Sequence, residues 1–173
     1  MTTYVGGIRL RLIKDSFYEM VNQALDDRGW FDSNRRHKPI EFLRDRVDPD
    51  DQIIPNKISL ATDDMLSYEA ELGSGLEENV WAFSLDIFAE SDDLGLELAG
   101  EIRDILRGKI PSIGRSEPSF SVLDYTAASP SHLFYCEIQE IEFGKIRNTQ
   151  KPYNRYWWTV VCDVIDYYAD EED

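Results

Sequence analysis

A strand that leads directly into a helix, within residues 79–115, constrains the fold of this chain more than any other feature. In residues 79–90, large apolar side chains recur at every second position, which predicts a strand with one buried face; these are Trp81, Phe83, Leu85, Ile87 and Ala89. Ser91 follows as a helix-capping residue, and apolar residues then recur three or four positions apart up to Gly108 and Pro111. The pattern therefore predicts an amphipathic helix that packs back onto the strand.

The rest of the chain predicts one more helix and further strands around the same core. Apolar residues spaced by three, four and seven positions predict a helix over residues 7–28, which Gly29 ends. Strands are predicted at 120–125, 133–143 and 155–168, with shorter candidates at 39–43 and 57–61. We therefore expect a single domain over residues 1–173 of the α+β class, with a mixed, largely antiparallel sheet of four to five strands and both helices packed on one face.

Two segments are expected to lie outside this core. Residues 44–78 contain Pro49, Pro55 and Gly73-Ser74-Gly75 among many acidic residues, which predicts a long arm-like loop around one short strand. Residues 169–173 form an acidic C-terminal tail.

The last two long strands predict a hairpin that turns within residues 144–154. A symmetric turn centred on Thr149 places Cys136 opposite Cys162 and Ile141 opposite Trp157, and a reducing compartment disfavours a bridge between the two thiols. A change of apolar face within 133–143 predicts a β-bulge near Gln139. Residues 157–162 are apolar on both faces of the last strand, so each face needs a covering partner.

The charge balance limits the partners of this chain. It has 34 acidic and 18 basic residues and a net charge of −16, which disfavours direct nucleic-acid binding. Such acidity suits a protein that is soluble at high copy number, mimics nucleic acid toward a basic partner, or lines a passage that DNA crosses. Basic clusters at Arg35, Arg36 and Lys38 and at Arg147 and Lys151 suit either a solvated turn or contact with an acidic neighbour.

The sequence carries no recognisable motif for catalysis, cofactor binding or metal binding, and we expect no enzyme activity. His37 and His132 belong to no nucleophile or ligand pattern, and residues 48–51 lack the glycine and the closing glutamate of a calcium loop. Gly73-Ser74-Gly75 lacks the lysine of a phosphate-binding loop. Without a secretion signal or an apolar run of membrane-spanning length, the protein is expected in the cytoplasm or in a particle.

Several segments, taken in order, give the chain a family resemblance. They are an N-terminal helix ending in GWF, the stretch AELGSGLEENVWAFSLDIFAESDDLG, the helix ELAGEIRDILRGKIPSIGR and the closing KPYNRYWWTVVCDVIDYYAD. Over nearly its whole length the chain resembles the tail terminator proteins of long-tailed bacteriophages, especially those that infect actinobacteria. The aromatic strand followed by SDDLG and the DILRG helix are the most specific parts of this resemblance.

The resemblance implies a structural virion protein of the tail and neck that needs no cofactor. Subunits of such a protein, six by resemblance, form a ring on the last ring of tail-tube protein, end tube polymerisation and present a docking surface to the head connector. DNA passes through the ring without specific binding. During assembly the subunits are in the host cytoplasm.

The resemblance transfers no interface motif to individual positions. The candidate contacts therefore rest on charge and aromatic character alone, and they are Arg35, Arg36, Lys38, Arg147, Lys151 and Trp157. Core packing is the alternative role for the tryptophan. A head-closure or stopper protein of the neck is a related reading of the function, although the helix-strand order favours a terminator. The main rival from another class is an acidic inhibitor that mimics DNA, and the oligomeric state separates the two; an enzyme is a third alternative.

Overall fold

The chain forms one sheet with two helices, as a computed structural model describes it for residues 6–32, 39–48, 53, 55–69, 76–108, 118–126, 128–147 and 156–169. The described elements are α1 (Gly6–Asp27), β1 (Glu41–Leu43), β2 (Lys57–Glu69), β3 (Leu76–Phe88), α2 (Asp92–Leu106), β4 (Ser119–Asp124), β5 (Ser131–Ile146) and β6 (Trp157–Ala169). The fold is α+β, as predicted. The sheet has six strands rather than four to five, because β1 joins as a parallel edge strand.

The strand and the helix predicted within residues 79–115 are both present, as β3 and α2. The alternating apolar residues of β3, from Trp81 to Ile87, are buried on one face. Ser91 has extended backbone, and its hydroxyl accepts a hydrogen bond from the Leu94 amide at 3.2 Å, which caps α2. At the end of α1, Gly29 adopts the left-handed conformation with φ 70°, as its position after the helix predicted.

The sheet curls around α1, because both of its edges bind the same turn of that helix. The strand order is β1-β2-β3-β6-β5-β4, and every pairing except β1 with β2 is antiparallel. At the β4 edge, the Leu123 amide donates a hydrogen bond to the Ser16 hydroxyl at 2.9 Å. At the β1 edge, the Tyr18 hydroxyl donates to the Phe42 carbonyl at 3.0 Å. Both helices therefore pack against the inner, concave face.

Aromatic side chains fill the space between α1 and this inner face. Phe17 lies edge-on to Phe83 with ring centroids 4.8 Å apart, and also to Phe120 at 5.7 Å. At one end the core is closed by an ion pair, in which the Arg9 guanidinium donates to the Asp166 carboxylate at 2.6 Å. The Asp166 side chain is 0% exposed, and the same guanidinium lies 3.8 Å from the centroid of the Phe134 ring. These contacts fix α1 against β5 and β6.

The prediction of a long loop over residues 44–78 is wrong for much of that segment. β2 continues from Lys57 to Glu69, well past the short strand predicted to end at Ala61, and β3 begins at Leu76. The pairing of β2 with β3 shifts register between Thr62 and Met65. Such an irregularity interrupts the period-two alternation from which strands are recognised. The recognisable apolar alternation therefore ends before the strand does.

The predicted register of the last hairpin is also wrong. Trp157 pairs with Ile146 rather than with Ile141. Cys136 instead pairs with Phe120, and Cys162 with Phe83. Both cysteines are free and buried, but they are not cross-strand neighbours. The error arose because turn-forming residue types are spread over the whole connection and do not mark its centre.

The bulge predicted near Gln139 is confirmed. The pairing of β5 with β6 shifts between Gln139 and Glu142, and Glu140 there has a positive φ of 48°. A positive φ at a residue other than glycine is typical of a bulge or turn. The bulge turns Ile138 and Phe143 toward the helices on either side of it.

Candidate interaction surface

The outer side of the sheet, opposite the helices, is the candidate interaction surface, and we call it the open face. Successive residues of a strand point to opposite sides. The open face therefore consists of the residues of β3 and β6 that alternate with the core residues. The register joins these residues into six rungs: Phe88–Trp157, Asp86–Thr159, Ser84–Val161, Ala82–Asp163, Val80–Ile165 and Glu78–Tyr167. Both described helices pack on the other side, where their apolar residues join the core with Phe83 and Val160.

One end of the open face is aromatic, and we call it the tryptophan end: Phe88, Ile146 and Trp157. Phe88 itself is only 2% exposed. The Phe88 and Trp157 rings stack with centroids 5.6 Å apart and an interplanar angle of 27°. The Trp157 indole Nε1 donates a hydrogen bond to the buried Asp86 Oδ1 at 3.0 Å, which holds the ring in place. Ile146 is opposite Trp157 on β5, and the exposed Arg147 follows it.

The other end is acidic and carries two tyrosines, and we call it the tyrosine end: Tyr135, Glu137, Asp163 and Tyr167. Glu137 itself is only 9% exposed. Glu137 pairs with Ile165, one rung from Tyr167, and the Tyr167 hydroxyl donates to Glu137 Oε2 at 3.4 Å. The tyrosines are 39% and 38% exposed. Phenol rings beside carboxylates form a surface that suits a basic partner, because both attract ammonium and guanidinium groups.

Small and β-branched residues lie between these two ends. Val161 is 38% exposed, although it is in the middle of the central strand β6. Its rung neighbours are Ser84 on β3 and Glu142 on β5. An apolar side chain flanked by a small residue on a broad sheet face leaves room for another surface to approach closely.

Of the candidate contacts named from the sequence, the structure brings together two. Trp157 lies at the tryptophan end, and Arg147 follows Ile146, the cross-strand partner of Trp157 on β5. Trp157 is half-buried on the open face and outside the core cluster, whereas the next residue, Trp158, packs against the core. Arg35, Arg36, Lys38 and Lys151 lie outside the described residues.

The tyrosine end and Val161 were not among the sequence candidates. The sequence did contain a signal for them: residues 157–162 are apolar on both faces of the strand. Such a pattern is typical of a strand that is covered on both sides. What the sequence did not show is which face the helices cover. That depends on the pairing of β6 with β3, a contact between residues far apart in the chain.

The two thiols are poor nucleophiles. Burial, with a smaller contribution from the nearby Asp163 carboxylate, raises the pKa of Cys162 to about 12. Burial also raises the pKa of Cys136 well above its ordinary value, with the charge of Asp166 adding to the effect. Since the thiolate is the reactive form, neither cysteine is prepared for attack. The Ser121 hydroxyl and His132 Nδ1 are hydrogen-bonded at 2.5 Å, but this pair lies exposed at the β4 edge of the sheet.

A polar contact on the inner side fixes α2 to the strands that carry the open face. The Trp158 indole Nε1 and the Lys145 ammonium donate to the same Asp92 oxygen, at 3.1 and 2.7 Å. The hydrogen bond from Lys145, with a further one from Trp158, lowers the pKa of Asp92. Gly95 lies so close to the Trp158 ring that an added Cβ would be 2.3 Å from Cδ1. The first turn of α2 therefore orients β5 and β6.

Within the described ranges, no three His, Cys, Asp or Glu side chains are grouped so that they could hold a metal ion. Neither described helix is long and apolar enough to cross a membrane. No protein-family model matches the chain, and no curated protein matches it in sequence.

Proposed function

We propose that this protein is a ring-forming structural component of a long-tailed phage tail, of the tail terminator type. In this role its subunits close a ring on the tail tube, stop tube growth and present a docking surface to the head connector. The proposal begins with the sequence resemblance. It needs no catalytic residue, cofactor or metal.

The observation that carries the proposal is the open face. Its centre exposes Val161, and Trp157 lies at one end and Asp163 with two exposed tyrosines toward the other. Exposed apolar side chains on a strand in the middle of a sheet favour coverage by another protein surface.

The long strands supply a second support. β3 and β6 continue for three rungs beyond the Asn79–Asp166 pair that closes the core, as far as Leu76 opposite Ala169. At about 3.3 Å per residue, this extension is roughly 10 Å long. A subunit that must reach a neighbouring copy or the tube below it benefits from such an arm.

The net charge gives the third support. Each copy carries −16, so a ring of several copies is strongly acidic. Duplex DNA has one phosphate per about 1.7 Å of axis, and acidic walls repel it. DNA in transit would therefore not adhere to the ring. The same charge also suits a DNA mimic, because on the open face Glu142 and Glu137 lie opposite Val161 and Ile165, on either side of Asp163; the oligomeric state separates the two functions.

The test is the effect of the purified chain on tube growth. Tail-tube protein of the same phage is polymerised with and without added chain, and tube lengths and ends are measured by negative-stain electron microscopy. The proposal expects shorter tubes that carry a ring at one end. Tubes of unchanged length with bare ends would refute it. A monomeric chain that binds a nuclease or polymerase instead would support the mimic.

A further inference from the structure

One rung of the sheet is polar on its outer side although two of its members are buried. The Asp86–Thr159 rung of the open face continues onto β2, where Ser59 is directly opposite Asp86. Asp86 is 6% exposed and Ser59 is 0% exposed, whereas Thr159 is half-buried. Burying a carboxylate or a hydroxyl costs free energy unless hydrogen bonds or an opposite charge compensate for the lost water.

The described contacts compensate these two groups only in part. The carboxylate of Asp86 accepts one side-chain hydrogen bond, from the neutral indole of Trp157 at 3.0 Å, and it makes no ion pair with a described residue. Lys57, two residues before Ser59 on the same strand, is bound to Glu41 at 2.9 Å. The Ser59 hydroxyl has no hydrogen-bond partner within the described part of the chain. A buried carboxylate therefore lies beside a buried hydroxyl whose lone pairs are unused.

We propose that Asp86 and Ser59 bind a small monovalent cation such as Na⁺, with the Thr159 hydroxyl as a third oxygen ligand. Side chains at directly opposite positions of paired strands have their Cβ atoms about 4.5–5.5 Å apart. Ca²⁺, which is close to Na⁺ in size, contacts oxygen at about 2.3–2.6 Å. An ion between the two side chains therefore reaches an oxygen of each. This site does not depend on ring assembly.

The ligand set decides the class of cation. Carboxylate and hydroxyl oxygens are hard ligands, which suit alkali and alkaline-earth ions rather than transition metals. Asp86 is the one acidic residue in the rung that runs from Leu43 to Gly144. One negative charge balances a monovalent ion, whereas a divalent ion would leave an uncompensated charge in a buried place, which is costly.

The ion would link three strands at the tryptophan end. Ser59, Asp86 and Thr159 belong to β2, β3 and β6, and the carboxylate that holds the ion also holds the Trp157 indole. A ligand that binds only the folded protein multiplies the ratio of folded to unfolded molecules by one plus its concentration divided by its dissociation constant. At about ten times the dissociation constant, Na⁺ should raise this ratio about elevenfold.

The first test compares the stability of the full chain in two salts of equal concentration. Urea unfolding is measured in sodium chloride and in tetramethylammonium chloride, whose cation is too large for the site. The wild type should be more stable in sodium chloride, and the gain should rise with sodium concentration and then level off. Asp86→Asn should lose this gain, although an amide oxygen there still accepts the hydrogen bond from Trp157. Asp163→Asn, which makes the same change of charge on the same face, is the matched control and should keep the gain.

The second test removes the hydroxyl. In tetramethylammonium chloride, Ser59→Ala should be at least as stable as the wild type, because it removes a buried hydroxyl that has no partner. In sodium chloride it should be less stable than the wild type, because an ion ligand is lost. Ser84→Ala removes a half-buried hydroxyl one rung away, and its difference from the wild type should be the same in both salts.

Two results would overturn the site. One is a wild type whose stability does not distinguish the two salts, as expected if only a water molecule lies between the two groups. The other is an equal sodium gain in Asp86→Asn and Asp163→Asn, which would show that sodium acts on the overall negative charge. Neither result bears on the proposed function, which the tube-growth experiment decides.

Discussion

Replacing Gly95 by Ala tests how tightly α2 is docked on β6. Two effects of this replacement oppose each other. Alanine favours a helix interior over glycine by about 1 kcal/mol. The added Cβ, however, would be 2.3 Å from Cδ1 and 2.6 Å from Nε1 of Trp158, so the indole must move.

The cost of that movement exceeds the gain in helix propensity. Overpacking a close contact costs about 1–3 kcal/mol, and losing the 3.1 Å hydrogen bond from Trp158 to Asp92 costs about 0.5–1.5 kcal/mol more. After subtraction of the propensity gain, Gly95→Ala should lower the free energy of unfolding by about 1–3 kcal/mol. For a domain of this size that is a fall in Tm of roughly 2–12 °C.

Gly100→Ala is the matched control in the same helix. An added Cβ there meets nothing within 4 Å, so the propensity gain should appear alone, as about 1 kcal/mol of added stability. Urea unfolding followed by circular dichroism measures both variants. If Gly95→Ala is as stable as the wild type, or if the two variants shift stability in the same direction, the close docking of Gly95 on Trp158 is wrong.

Three further predictions concern the Arg9–Asp166 pair, the two thiols and Asp92. Asp166→Asn removes one partner of the buried pair with Arg9 and should cost about 3 kcal/mol in urea unfolding; a cost below about 1 kcal/mol would show that the pair is not buried as described. Because the pKa of Cys162 is about 12, roughly one molecule in 10⁴ carries that thiolate at pH 8. Both Cys136 and Cys162 should therefore react with a thiol reagent only as fast as the protein opens, and rapid labelling of native protein would contradict this. The lowered pKa of Asp92 contributes stability that is present above the unfolded pKa of about 3.9 and is lost as pH falls through the folded value. The unfolding midpoints of wild type and Asp92→Asn should thus converge below about pH 4, and a constant difference would refute the assignment.

The sequence predicted the core strand well because one physical pattern dominates it. From Trp81 to Ile87, alternation matches burial at every residue except Asp86, which is buried on the opposite face. The same reasoning failed for the second half of β2, where the irregularity between Thr62 and Met65 breaks the period. Local pattern is reliable only where the strand is regular.

The surface was harder to predict than the core. Trp157 and Trp158 are adjacent and chemically identical, yet the first belongs to the open face and the second to the core. Which of them faces the helices is decided by the pairing of β6 with β3, across more than sixty residues of chain. The apolar pattern on both faces of β6 showed that two surfaces must be covered, but not by what.

The central claim is that copies of this chain complete one another around a hole. Negative-stain electron microscopy of the purified wild-type protein, with its mass measured by light scattering on the same sample, tests this claim most directly. The account predicts ring-shaped particles with a central opening and a mass several times that of the chain, six times by the resemblance. Single compact particles with the mass of one chain at every concentration would contradict it.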